Sequence, residues 1–180
     1  MLDATSAPAR LVPITALPHI RGDGVDLLLR DAARALRAAG LRVAGVVQHA
    51  RAGHAECCSD FFLEDLATGT VHEISQRLGR NARGCRLDYG RLAEAHAGVE
   101  ASLRAGADVL ILNRFGYSES RGGGLRPLIE IAVSRDIPVL ISVNDSYRRE
   151  WHAFCGDFAQ DISRCPAAIG VWVRGILDAR

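Results

Sequence analysis

Ala107-Asp108-Val109-Leu110-Ile111-Leu112-Asn113-Arg114-Phe115-Gly116 is the stretch that decides the fold. Its apolar run, Val109 to Leu112, reads as a buried strand that stops at polar residues. A glycine-rich loop from Tyr117 to Gly124 is expected next, and then a helix from Leu125 to Arg135. In an open α/β sheet, ligands bind just beyond the carboxyl ends of such strands. Asn113, Arg114, Gly116, Ser118 and Arg121 are therefore the first candidates for a ligand site.

Upstream, Leu11 to Thr15 reads as a first strand, with Pro13 suited to an edge or an early position, and Ala16 to Gly24 as a loop. Val25, Leu28, Leu29, Ala32, Ala33 and Leu36 recur at helical spacing, so a helix is expected from Val25 to Ala39, stopped by Gly40. Arg42 to Gln48 is the second strand, which completes a right-handed βαβ unit. Phe61 to Leu66 and Thr70 to Ile74 flank Ala67-Thr68-Gly69 and read as a β-hairpin inserted at the sheet edge. A loop over Leu78 to Asp88 and a helix over Tyr89 to Arg104 lead back to the central strand. Downstream, a strand over Pro138 to Val143, a helix over Tyr147 to Phe158, a last strand over Ile169 to Val173 and a short tail helix are expected. This alternation predicts a three-layer α/β domain with a mostly parallel sheet, spanning 11–180 behind a flexible tail at 1–10.

Composition narrows the chemistry. The 180 residues suffice for one core, and a hydrophobic fraction of 48% is ordinary for a soluble globular protein. A net charge of +1 offers no broad field to nucleic acid or a membrane surface, and no apolar run approaches the roughly 20 residues needed to span a bilayer. The polar N-terminus does not read as a secretory signal, so a cytoplasmic protein is expected. All 22 basic residues are arginine, which excludes a Schiff-base lysine and a P-loop lysine. The five cysteines (Cys57, Cys58, Cys85, Cys155, Cys165) have no framework spacing and read as free thiols, although His54 near Cys57 leaves a metal site open.

Three loops carry candidate ligand contacts. The first, with His19, Arg21, Gly22, Asp23 and Gly24, stands where backbone amides and a helix N-terminus suit an anion, or it is a plain βα turn with Asp near a helix start. It lacks the GxxxxGK[ST] pattern, and Asp23 would repel a phosphate. The second, Asn113 to Gly124, gathers Arg114, Arg121 and Arg126 around glycines, with Glu119 available to pair with one of them; the alternative is surface arginines on a loop. The third, Arg80 to Arg86, puts Arg83 and Arg86 beside Gly84 and Cys85, either closing over an anion or forming a solvated basic loop. Asp145-Ser146 lines the same cleft or caps the next helix, His49 at the carboxyl end of the second strand is a site candidate or a plain loop residue, and Trp151, His152 and Phe154 either stack on a base or ring or, as is commoner on a helix, belong to the core.

The order of segments, with Gly45-Val46-Val47-Gln48 and Asp65-Leu66-Ala67-Thr68-Gly69, resembles the small bacterial and archaeal nucleoside-triphosphatases of the P-loop class. The resemblance implies a P-loop fold whose Walker B strand ends in an Asp-Glu-x-Gly signature. The matching stretch here is Asn113-Arg114-Phe115-Gly116, so the acidic pair is replaced and a degenerate site follows. Arg83 to Asp88 and Asn113 to Gly116 are more closely similar to a bacterial branch of this fold whose members are often labelled ATP-binding proteins of molybdenum ABC transport. That label implies a link to molybdate handling, yet the chain lacks the signature of a transporter ATPase.

The reading that follows is a non-hydrolysing protein that binds a small anionic ligand (a molybdate-type oxyanion, phosphate or a nucleotide) through His19, Arg21, Gly22, Gly24, Arg83, Arg86, Asn113, Arg114, Gly116, Ser118 and Arg121. Its rivals are an active nucleoside triphosphatase or phosphotransferase that uses arginine for the P-loop lysine, and a regulatory or assembly partner with a vestigial pocket. No catalytic residue or cofactor is assigned. An exposed sheet edge makes a homodimer an expectation.

Overall fold

A computed structural model describes residues 13–20, 23–49, 62–75 and 87–179. The strands are β1 (Ile14–His19), β2 (Val43–His49), β3 (Phe62–Asp65), β4 (Val71–Glu73), β5 (Val109–Phe115), β6 (Val139–Asn144) and β7 (Ala159–Asp161). The helices are α1 (Val25–Ala38), α2 (Tyr89–Arg104), α3 (Tyr117–Ser120), α4 (Arg126–Ser134), α5 (Arg148–Cys155) and α6 (Pro166–Asp178). All seven strands form one sheet in the order β4-β3-β2-β5-β6-β1-β7. The run from β2 to β7 is parallel, and the hairpin β3–β4 adds the antiparallel edge that the sequence placed there.

Side chains of one strand alternate between two cores. Val109 and Ile111 of β5 join α1 and α6 on one face, while Leu110 and Leu112 join α2, α4 and α5 on the other. That double burial is why β5 has no polar alternation, and it makes the architecture a three-layer α/β sandwich. Trp151 and Phe115 meet edge to face at 5.1 Å in the second core, as expected of Trp151. No helix among the described residues is long and apolar enough to cross a membrane.

Three sequence expectations are corrected. The first strand does not end at Thr15; it continues through Ala16-Leu17-Pro18 to His19. Pro18 is tolerated because it follows Ala16 in the strand's alternation, and Ala16 turns its carbonyl toward the β7 side, where Ile162 N donates to it at 2.9 Å. β7 has ended by that level, so the missing N–H of Pro18 leaves no ladder bond unmade. The central strand likewise does not stop at Leu112 but runs on to Phe115. The expected last strand at Ile169–Val173 is the middle of α6, and the actual last strand is β7. Ile169, Trp172, Val173 and Ile176 are the buried residues of α6, at helical spacing behind Pro166 in the first turn.

The Asp65-Leu66-Ala67-Thr68-Gly69 stretch is explained by turn chemistry. Asp65 is buried and accepts from Ala67 N at 2.8 Å and Thr68 N at 3.0 Å, and Gly69 supplies a φ of 74°. Gly45 is fixed by a different constraint: a Cβ there would lie 1.8 Å from the Ile111 carbonyl oxygen of the neighbouring strand.

Candidate functional site

The carboxyl ends of β1, β2, β5 and β6 lie along one edge of the sheet, and α1 starts there. At this edge β5 is irregular. Leu112 pairs with Ile141 and Phe115 with Val143, so three steps on β5 match two on β6. The extra residue is a β-bulge, a device that re-aims side chains. It is accompanied by a left-handed backbone at Arg114, φ 78°, a conformation that costs a non-glycine residue about 1–3 kcal/mol. Asn113 and Arg114, which strict alternation would send to opposite faces, instead reach the same group on α1.

That group is Asp26, in the first turn of α1 and two residues beyond Gly24, which caps the helix with φ 75°. Asn113 Nδ2 donates to Asp26 Oδ1 in a short hydrogen bond. Arg114 Nε donates to Asn113 Oδ1 at 3.1 Å, and Arg114 Nη2 donates to Gln48 Oε1 at 2.6 Å. Arg114 Nη2 stands 3.9 Å from Asp26 Oδ1. Arg30, one turn along α1, donates to the Gln48 carbonyl at 3.2 Å and lies 3.6 Å from Glu64. Burial pushes the Asp26 carboxyl above its ordinary range, against the opposing pull of Arg114, His19 and Arg30. His19, at the end of β1, is 2% exposed. Its Nδ1 is 3.1 Å from the Ile20 carbonyl, and its Nε2 has no partner among the described residues.

The sequence candidates divide accordingly. His19, Gly24, Asn113 and Arg114 come together around Asp26. Gly116, Ser118 and Arg121 are engaged elsewhere. Glu119 does not pair with an arginine; it is buried, and its two carboxylate oxygens take Gly116 N at 3.1 Å and Leu125 N at 3.0 Å. Ser118 accepts from Arg121 N and Gly123 N through its carbonyl. The Arg121 guanidinium lies over the Tyr117 ring at 4.9 Å, and that of Arg126 over Phe154 at 4.2 Å. Asp23 accepts from Ile20 N and Val25 N and pairs with Arg164, so it anchors the turn rather than facing the cleft. Asp145 and Ser146 are exposed, and Asn144 Oδ1 caps Ser146 N. Arg21, Gly22, Arg83, Arg86, Cys57, Cys58, Cys85, His54 and the 1–10 tail lie outside the described residues, and of His49 only its place at the end of β2 is described.

Sequence reading missed Asp26, Gln48 and Arg30. The available signal for Asp26 was its position two residues after a glycine at a helix start, where an anion site would not be expected to carry an acid. Cys155 is a free thiol, buried, with Sγ against the Trp151 carbonyl and a pKa pushed up to about 12 by burial, so it is no nucleophile. Among the described residues no three His, Cys, Asp or Glu side chains gather as metal ligands. Two cavities flank the fold, and neither is lined by Asp26, Asn113 or Arg114. One of about 320 Å³ is lined by Arg37, Leu41, Arg42 and Gly106, and one of about 460 Å³ by Arg30, Arg34, Arg37 and Glu64.

Comparison with known proteins agrees with this architecture. A family model described as "Protein of unknown function (DUF2478)" matches residues 14–172. The "Molybdenum import ATP-binding protein ModC 2" of Bradyrhizobium diazoefficiens is 32% identical over 167 residues, which make up 93% of this chain but only 18% of that protein. Two solved structures share the fold at 14% identity. A human cancer-related nucleoside triphosphatase superposes with a TM-score of 0.61, over 92% of this chain and 95% of its own. THEP1 from the hyperthermophile Aquifex aeolicus gives 0.63, over 92% and 98%. At that identity the likeness shows the fold alone: a P-loop nucleoside-triphosphatase fold.

Proposed function

The chain belongs to the DUF2478 family, and on that footing we propose that it is a non-hydrolysing binding protein on a P-loop-like fold, taking an oxyanion or the phosphate end of a nucleotide. The single observation behind this reading is the closed contact set Asp26–Asn113–Arg114. The resemblance implies Mg²⁺ at this edge, held by a hydroxyl after the loop glycine and by the acidic pair on the strand. Here those functions would fall to Asp26, Asn113 and Arg114. Asp26 is faced by an amide N–H and a guanidinium, both of which repel a cation, so this donor set does not fit Mg²⁺. Without a divalent cation and the lysine, the usual route of phosphoryl transfer lacks the groups that position the nucleotide and neutralise the transferred phosphoryl.

Arg114 is the main anion contact. Two of its five N–H groups bond to Asn113 and Gln48 among the described residues, which fixes the fork and leaves others to offer. His19 and the start of α1 at Gly24 adjoin this contact set, and Arg21, Gly22, Arg83 and Arg86, outside the described residues, complete the proposed set of ligand contacts. The name of the Bradyrhizobium protein makes molybdate one oxyanion to test.

Calorimetric titration of the full chain with phosphate, sulfate, molybdate and ATP, each in EDTA and in Mg²⁺, tests the reading. Binding of at least one anion in EDTA, lost in Arg114→Ala, is expected. No binding to any of them, or Mg²⁺-dependent phosphate release from ATP, removes it. One observation favours a second reading, a regulatory or assembly partner with a vestigial pocket: the fork of Arg114 is already held by the protein's own side chains. The absence of any anion binding in this titration is the outcome that reading requires.

A further inference from the structure

Asp26 is an unusual group to find beside an anion contact. Its carboxylate and the Arg114 guanidinium are 3.9 Å apart, and each side chain is 33% exposed. The two do not form a forked ion pair, because the fork of Arg114 is directed to Asn113 and Gln48. Nor is Asp26 tied up by backbone amides, as Asp23 and Glu119 are. An anion oxygen that takes a free N–H of Arg114 must therefore lie next to the Asp26 carboxylate. His19, at the neighbouring strand end, adds a buried Nε2 without a partner among the described residues.

We propose that Asp26 makes this site selective for oxyanions that keep a proton at neutral pH, such as hydrogen phosphate, over fully ionised ones such as sulfate and molybdate. The proposal rests on the anion-binding reading above and specifies its ligand class. An ionised carboxylate is an acceptor only. Facing a fully ionised oxyanion it meets another acceptor of like charge, and the contact is repulsive. Facing a protonated oxyanion it accepts an O–H, and the same contact becomes a short charge-assisted hydrogen bond. Selectivity of this kind comes from the contact that penalises the wrong ligand as much as from the one that holds the right one. The charged groups around Asp26 are Arg114 from β5, His19 from β1 and Arg30 from α1, which favour its ionised form, and Asp23 from the turn before it, which with burial opposes them. The terminal phosphate of ATP is fully ionised at mildly alkaline pH, so it falls in the disfavoured class.

The test is calorimetry on the full chain and on Asp26→Asn at pH 7.5 in EDTA. Phosphate and arsenate, which keep a proton, are titrated beside sulfate, selenate and molybdate, which do not. Arsenate and selenate are close in size, so their difference isolates the proton. Phosphate and arsenate are expected to bind the wild type at least tenfold more tightly than the ionised three. Asparagine keeps an acceptor oxygen for Asn113 while losing the charge. In Asp26→Asn the ionised anions are expected to gain about tenfold, bringing the two groups to within about threefold of each other. Wild-type affinities that do not sort by protonation overturn the proposal and leave anion binding standing, and this outcome needs no variant. A ratio unchanged in a folded Asp26→Asn also overturns it. If neither protein binds any of the five anions, the anion-binding reading falls, and this inference with it.

Discussion

Glu119 and Asp26 are both carboxylates near the carboxyl end of β5, and they are held in opposite ways. Glu119 is 7% exposed, and both its oxygens take backbone N–H groups, Gly116 at one end of the glycine loop and Leu125 at the other. Gly124 packs so closely that a Cβ there would lie 2.0 Å from Glu119 Oε1. Asp26 instead accepts a side-chain amide, borders a guanidinium and keeps a third of its side chain in solvent. A carboxylate saturated by backbone donors acts as a clamp that ties the two ends of the loop together. A carboxylate shared among side chains at an opening can exchange partners with a ligand. The arginines follow the same division. Arg114 is drawn inward by Gln48 and Asn113, whereas Arg121 and Arg126 lie outward over aromatic rings.

The comparison breaks first, and most visibly, at the clamp. Glu119→Ala strands two buried backbone donors, at about 1–3 kcal/mol each. Chemical denaturation should therefore register a loss of about 2–6 kcal/mol, with Glu119→Gln in between; an unchanged midpoint would show that the clamp is not a clamp. Next in size is Arg114. Arg114→Gly relieves a left-handed backbone that disfavours side chains, so its melting temperature should equal or exceed that of Arg114→Ala. Both variants should lose at least tenfold in anion affinity. Retained affinity in a folded Arg114→Gly would move the anion contact elsewhere.

A smaller effect concerns pH. Burial raises the folded-state pKa of Asp26 above its ordinary value of 3.8, so in the window above 3.8 the folded protein binds more protons than the unfolded chain. Stability contributed by this group is then present at low pH and lost as pH rises through the folded-state pKa. The melting temperature of Asp26→Asn minus that of the wild type should accordingly be more positive at pH 7 than at pH 4, and the reverse order would refute the sign. Smallest is Arg121→Ala. A surface cation–π contact is worth about 0.5–1 kcal/mol, so stability should fall by no more than that and anion affinity should not change. A tenfold loss of affinity would return Arg121 to the site.

Much of the fold was legible because it rests on local pattern. Tyr89 to Arg104 was read as a helix with the bounds it has, since Leu92, Ala95, Val99 and Leu103 repeat at helical spacing behind Asp88, which caps Arg91 N. The hairpin was legible from its glycine turn and the edge from its position. Where the reading failed, a short apolar run was compatible with two periods. Ile169 to Val173 satisfies a strand if read alone and a helix once Ile176 is counted. Ala16 to His19 read as loop, because the sequence does not say on which side a strand carrying Pro18 lacks a neighbour.

The candidate site was half legible for a different reason. Residue types at strand ends named Asn113 and Arg114, but not what they would meet. By itself the sequence determined a three-layer α/β sandwich and an arginine-only basic complement, because these depend on composition and on periodicity within single elements. The tertiary structure alone decided that Asp26 faces Arg114 across 3.9 Å, that Gln48 orients the guanidinium, and that Glu119 turns away to the backbone. The first two contacts join elements tens of residues apart, through one bulge and one left-handed residue that local propensity disfavours, so only the packed chain could bring them together.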